Sequence, residues 1–185
     1  MNASAAAQRH REYASRFADV VAGVADWDAP TPVAEWRARD VVAHLTSWFP
    51  GFLSAGGVEI PAGDPEDPAG SWARQAAAVQ HLLDDVELAE SQFAHPRVPP
   101  QPLADTIDTF YTADIFMHTW DLARSSGQDD TLDEATCADM LAGMEAMAAI
   151  IRESGQYGDQ HPVAEGASVQ QRLIAFIGRD PDWRP

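Results

Sequence analysis

The stretch TADIFMHTWDLARSSG, residues 112–127, constrains the fold of this chain more than any other. At helical spacing Ile107, Tyr111, Asp114, His118, Asp121 and Ser125 share one face, while Phe116 and Trp120 lie opposite and Ile115 and Leu122 sit on a flank. Large apolar groups on both sides make a solvent-facing stripe hard to arrange, so the segment belongs inside a packed helical array. Its charged groups are then buried, and buried carboxylates and imidazoles need hydrogen bonds, an opposite charge or a metal.

Amphipathic helices elsewhere supply the array. One runs from Ser4, read as its N-cap, to about Trp27 with Tyr13, Phe17, Val20, Val21 and Val24 on its apolar side. After the proline-broken DAPTPVAEW, a second carries Val41, Leu45, Trp48 and Phe52, although Arg37 stands where a Ser or Thr cap is usual. Residues 54–70 form a Gly/Pro-rich loop, long enough to be suspected of lining a site. A third helix starts near Ser71 and is stopped by HPRVPPQP. The fourth begins at Pro102 and is closed by Gly127. Thr131 with Glu134 reads as a capping box for a fifth helix that buries Cys137, Leu141, Met144 and Ile151. Ser168 with Gln171 opens a short final helix closed by Gly178. No repeat or second-domain boundary interrupts this pattern, so residues 1–185 read as one all-α helical-bundle domain.

The formal net charge of −17, with arginine as the sole basic residue type, argues against nucleic acid and anionic membranes as partners. No apolar run reaches the ~18 residues a membrane span needs. The N-terminal residues lack the pattern of a secretory signal, which makes a cytoplasmic location the expectation. The apolar surround of the fourth helix leaves room for a homodimer contact. A single cysteine, Cys137, excludes an intrachain disulfide and reads as a small buried hydrophobe.

Any metal site must therefore use His, Asp and Glu. Asp114 and His118 project one turn apart in the same direction, and His44, at the edge of the second helix's apolar stripe, is the candidate third group. His10, His81, His95 and His161 fall on polar faces or in loops. On pattern alone a hydrogen-bonded core network outweighs a metal site, with some other catalytic role a third reading.

The segments WRARDVVAHL (36–45) and DIFMHTWDLA (114–123), with the ending GQYGDQHPV…QQRLIAFIGRDPDW, resemble the N-terminal domain of mycothiol-dependent maleylpyruvate isomerase. The similarity is greatest to the stand-alone relatives of that domain in the DinB/YfiT-like superfamily. The resemblance implies a DinB/YfiT-like four-helix bundle, here with a short extra C-terminal helix, that holds a divalent metal through His44, Asp114 and His118. Aspartate takes the place of the isomerase's glutamate. Zinc is the expected metal, with nickel, iron and manganese as alternatives. The isomerase has a further C-terminal domain with no counterpart in residues 1–185, which speaks against maleylpyruvate isomerisation itself.

The same resemblance implies a thiol co-substrate, mycothiol, activated at the metal to attack a small-molecule electrophile, as in an S-transferase. A non-catalytic binding module and a metal-dependent hydrolase are the alternatives. Asp121 is the candidate for holding an imidazole or an arginine from behind the site. Arg39 and Arg124 read as surface ion pairs before substrate-binding groups. Trp48 and Tyr111 read as core packing before pocket walls, and His161 is a weaker candidate for closing over the metal.

Overall fold

The computed structural model describes residues 3–155 and 157–185. Helix α1 (Ala3–Ala22) buries Ala7, His10, Ala14, Phe17 and Val21 along one side. Ser4 lies inside its first turn rather than at its cap. The helix stops at Ala22, short of Trp27, where the Val20 carbonyl accepts from the Gly23 N–H at 3.0 Å and from the Gln128 amide at 2.8 Å. That amide packs against Gly23, where a β-carbon would overlap it at 2.2 Å.

Helix α2 (Ala38–Ala55) starts without a Ser or Thr cap, and its first amides are satisfied otherwise. Ala38 and Arg39 donate to the Ala29 and Trp27 carbonyls, each at 3.0 Å. The Asp40 carboxylate accepts the Arg37 N–H at 2.7 Å. Pro50 sits inside α2 and has no N–H to give the Thr46 carbonyl. Gly63 supplies it at 2.9 Å, which docks the Gly/Pro-rich loop on α2. Only a glycine fits there, since a β-carbon would stand 2.3 Å from Thr46 Oγ1. The next residue, Asp64, donates its N–H to Ser71 Oγ at 2.7 Å, which ties the same loop to Ser71.

Asp67 caps α3 (Pro68–Asp84), which starts three residues before the expected Ser71. A short α4 (Val86–Glu90) follows. The HPRVPPQP region is no plain stop: β1 (Gln92–His95) and β2 (Val98–Pro102) form an antiparallel hairpin. The next helix comes in three consecutive pieces: α5 (Leu103–Thr106), a π-helical stretch (Ile107–Thr112) and α6 (Ala113–Ser125). Gly127, left-handed at φ 67°, follows its end as expected.

Helix α7 (Glu134–Ala146) is capped by Asp133, which accepts from Thr136, so the Thr131–Glu134 box does not form. The expected fifth helix breaks at Met147, and α8 (Ala148–Ser154) continues beyond it. The Ser168–Gln171 box does form at the start of α9 (Val169–Phe176).

Helices α1, α2, α3 and α6 make a four-helix bundle in which α1 and α2 each touch both α3 and α6. Phe17, Val41, Leu45, Phe49, Trp72 and Ile115 fill its centre. A second core of Phe116, Trp120, Cys137, Leu141, Leu173 and Ile174 joins the far side of α6 to α7 and α9. One chain therefore covers both apolar faces of α6, which accounts for its apolar surround.

Candidate metal centre

The site forms where α2 meets α6. His44 is three residues past the fully buried Val41, so the packing of Val41 and Leu45 turns its imidazole toward α6. Asp114 and His118 project from α6 one turn apart. The π-helical stretch directly precedes them. A wider turn re-phases the residues after it, and such turns recur at functional sites. Within it, the Tyr111 ring lies flat on Phe49 with centroids 4.0 Å apart, which fixes the start of α6 against α2.

The Asp114 carboxylate lies between the two imidazoles. Oδ2 is 3.1 Å from His44 Nε2, and Oδ1 is 3.4 Å from His118 Nε2. Trp48 Nε1–H donates to Oδ2 at 3.0 Å, so Trp48 belongs to the site as well as to the core. Burial raises the pKa of Asp114, but His118, His44 and the Trp48 hydrogen bond outweigh it, and the group stays below its ordinary value. An ionised carboxylate is the form a cation binds.

One ligand atom from each of His44, Asp114 and His118 lies within 4.8 Å of the others. Donors bound at ~2 Å to one tetrahedral ion stand about 3–3.5 Å apart, a range that each imidazole nitrogen meets toward one of the two Asp114 oxygens. Two nitrogens and an oxygen suit zinc and its neighbours in the first transition row. The site is open on one side: 31% of the His44 side chain and 17% of Asp114 are exposed, against 5% of His118.

Asp121 holds His118 from behind. Its Oδ2 is 2.9 Å from His118 Nδ1, and an ionised carboxylate only accepts, so Nδ1 carries the proton. In the neutral imidazole, Nε2 is then left with a lone pair facing Asp114 and His44. Asp121 is fully buried, and its ionised form depends on Arg179, whose Nε and Nη2 donate at 3.3 and 3.1 Å. The Arg179 charge and the His118 hydrogen bond overcome the cost of burial and hold the Asp121 pKa low.

Trp36 forms a wall of the site, stacked on His118 with centroids 5.7 Å apart and 5.0 Å from His44. It follows Glu35, which is left-handed at φ 65°, a strained conformation for a residue with a side chain. The half-buried Tyr157 feels the charges of Asp114 and Arg179, and burial raises its pKa, which keeps the phenol protonated at neutral pH.

The other candidates lie elsewhere. Arg39 pairs with Asp28, and Arg124 pairs with Asp130 while covering the Trp120 ring. Tyr111 is wholly in the core, and His161 is exposed. Cys137 is fully buried, and burial pushes its thiol up to about 11. His10 overturns the expectation of a polar face, being fully buried with Nδ1 2.8 Å from Gln80 Oε1. Counting alanines as core would have found it, since Ala7, His10, Ala14 and Phe17 share one helical side.

Sequence reasoning missed Trp36, Tyr157 and Arg179 as site residues. All three stand inside the motifs that carry the family resemblance, and a buried Asp121 called for a cation.

The family model described as the mycothiol maleylpyruvate isomerase N-terminal domain matches residues 10–123, a stretch that contains the three candidate ligands and Asp121. Uncharacterized proteins from Mycobacterium tuberculosis strains CDC 1551 and H37Rv are each 28% identical over 178 residues, covering 92% of this chain and 95% of the relative. No solved structure matches.

Proposed function

The chain belongs to the family of the mycothiol maleylpyruvate isomerase N-terminal domain, and from that premise we propose that it is a metal-dependent thiol S-transferase. A low-molecular-weight thiol, mycothiol first among them, is the nucleophile, and a small electrophile is its target. The observation that carries the reading is the convergence of His44, Asp114 and His118 from two helices on a point that solvent still reaches. A divalent ion there, zinc before nickel, iron or manganese, would supply a positive charge that favours the thiolate over the thiol.

The chain's own groups do the rest. His44, His118 and the Asp114 carboxylate would hold the ion, and three protein ligands would leave a position open to the thiol. Asp121 keeps His118 in the tautomer that presents Nε2, and Trp48 fixes the Asp114 carboxylate by its hydrogen bond. Trp36 excludes water from one side of the imidazoles and offers a flat apolar surface to an incoming electrophile. The transfer forms a carbon–sulfur bond as the bond from that carbon to its leaving group breaks. The leaving group departs with the bonding electron pair (chloride from a chloroarene), and the thiol proton passes to solvent.

The test is turnover of a chromogenic chloronitroarene by metal-loaded protein, with and without thiol, against His118→Ala. Turnover that needs both thiol and His118 is expected. Product formed by hydrolysis without thiol, or no turnover by the loaded protein, would replace this reading with that of a hydrolase or of a binding module.

A further inference from the structure

Arg179 is separated from Asp121 by 58 residues, yet its guanidinium grips that carboxylate through two nitrogens, Nε on Oδ1 and Nη2 on Oδ2. Only 11% of the Arg179 side chain and none of Asp121 meets solvent. Charge-assisted bonds of this kind are short-ranged and directional, so the pair fixes the carboxylate's plane as well as its charge. Asp121 Oδ2 then meets His118 Nδ1 at 2.9 Å.

The backbone that delivers Arg179 is equally specific. Gly178 and Arg179 close α9 by donating to Ala175 and Ile174 at 3.1 and 3.0 Å, a Schellman turn that requires the left-handed φ of 86° at Gly178. Gly178 is also pressed on Gly158, since a β-carbon on it would lie 2.5 Å from the Gly158 Cα. Arg152 ties the two segments by donating to the Gly158 and Phe176 carbonyls. Arg179 itself is held at a third point, Nη1 donating to Ile177 at 2.9 Å.

We infer that Arg179 is a positioning residue of the metal centre. It orients Asp121, which orients the His118 imidazole so that Nε2 points at the ion. The C-terminal tail, outside the residues matched by the family model, is thereby part of the site. The inference rests on the metal-binding reading above.

Cobalt(II) titration of the metal-stripped full chain tests it through both affinity and the visible ligand-field spectrum. The variants are Arg179→Met, Arg179→Lys, Asp121→Asn and the Arg179→Met/Asp121→Asn double, each checked for fold by circular dichroism. Loss of the orienting partner of a ligating histidine weakens metal binding by about 10–100-fold, and Arg179→Met is expected in that range with an altered spectrum. Arg179→Lys should recover part of the affinity. Residues acting along one route do not add, so the double variant should bind within about 2-fold of Asp121→Asn.

Wild-type affinity and spectrum in Arg179→Met overturn the inference, as do losses that multiply in the double variant. Should Arg179→Met fail to fold, Arg179→Lys decides: a weaker, spectrally changed site supports the inference, and an unchanged one overturns it. A wild-type chain that takes up no cobalt overturns the metal-binding reading as well, whereas cobalt bound alike by wild type and Arg179 variants overturns the positioning role alone.

Discussion

Asp114 and His118 could be read from the sequence because an i, i+4 step on a helix is a local geometry, independent of what the rest of the chain does. His44 followed because the packing of Val41 and Leu45 dictates the direction of the residue between them. Arg179 could not be placed that way. Its role depends on where α9 docks, and docking is set by the second core rather than by anything near Arg179 in sequence. His10 was misread because alanine contributes little to an apolar stripe but packs as tightly as any residue. Its burial has a consequence for stability. Burial lowers the His10 pKa, against the hydrogen bond that its Nδ1–H donates to Gln80 Oε1, so the folded state binds its proton less readily than the unfolded chain. Stability from this group is fully present above the unfolded value of about 6.5 and is lost as pH falls through the lower folded value. Urea unfolding of the protein should show stability declining from pH 7 to pH 5, and His10→Gln should flatten that decline. An unchanged slope in the variant would assign the effect elsewhere.

Helix existence was legible from periodicity, while helix ends and irregularities depended on partners distant in sequence. The amides at the start of α2 are capped by carbonyls of the preceding loop, and the α1 terminus is set by Gln128. Neither leaves a local signature. The hairpin was hidden by its prolines, which stand in β2, and the π-helical stretch looks like ordinary helix at the level of residue spacing. Gly178 shows how much one element boundary carries. Alanine there would bring a left-handed penalty of about 1–2 kcal/mol, with a backbone clash against Gly158 in addition. Chemical denaturation should find Gly178→Ala destabilised by at least that amount, with a site that binds metal more weakly as Arg179 is displaced. Gly143, exposed in α7 with nothing within 4 Å, is the control, and Gly143→Ala should be neutral or slightly stabilising. Equal effects from the two substitutions would contradict the role given to the tail.

At the scale of the whole molecule, α6 is shared by two cores, and that is why its charged residues had to be buried. A helix apolar on every side reads equally well as the seat of a dimer contact, and only the placement of α7 and α9 shows what covers it. The net charge of −17 acts on the molecule as a whole. Self-repulsion at that charge opposes the compact state, and salt screens it. The thermal midpoint should therefore rise between 10 and 150 mM sodium chloride at pH 7.5, whereas a fall would mean that the Arg–Asp pairs outweigh the repulsion.

In the proposed function His44, Asp114 and His118 together hold one divalent ion. Equilibrium dialysis of the stripped protein against zinc, followed by elemental analysis, measures this directly. One equivalent bound by the wild type, and little or none by His44→Ala and His118→Ala at the same free zinc, is the predicted result. Equal zinc in all three proteins would contradict it.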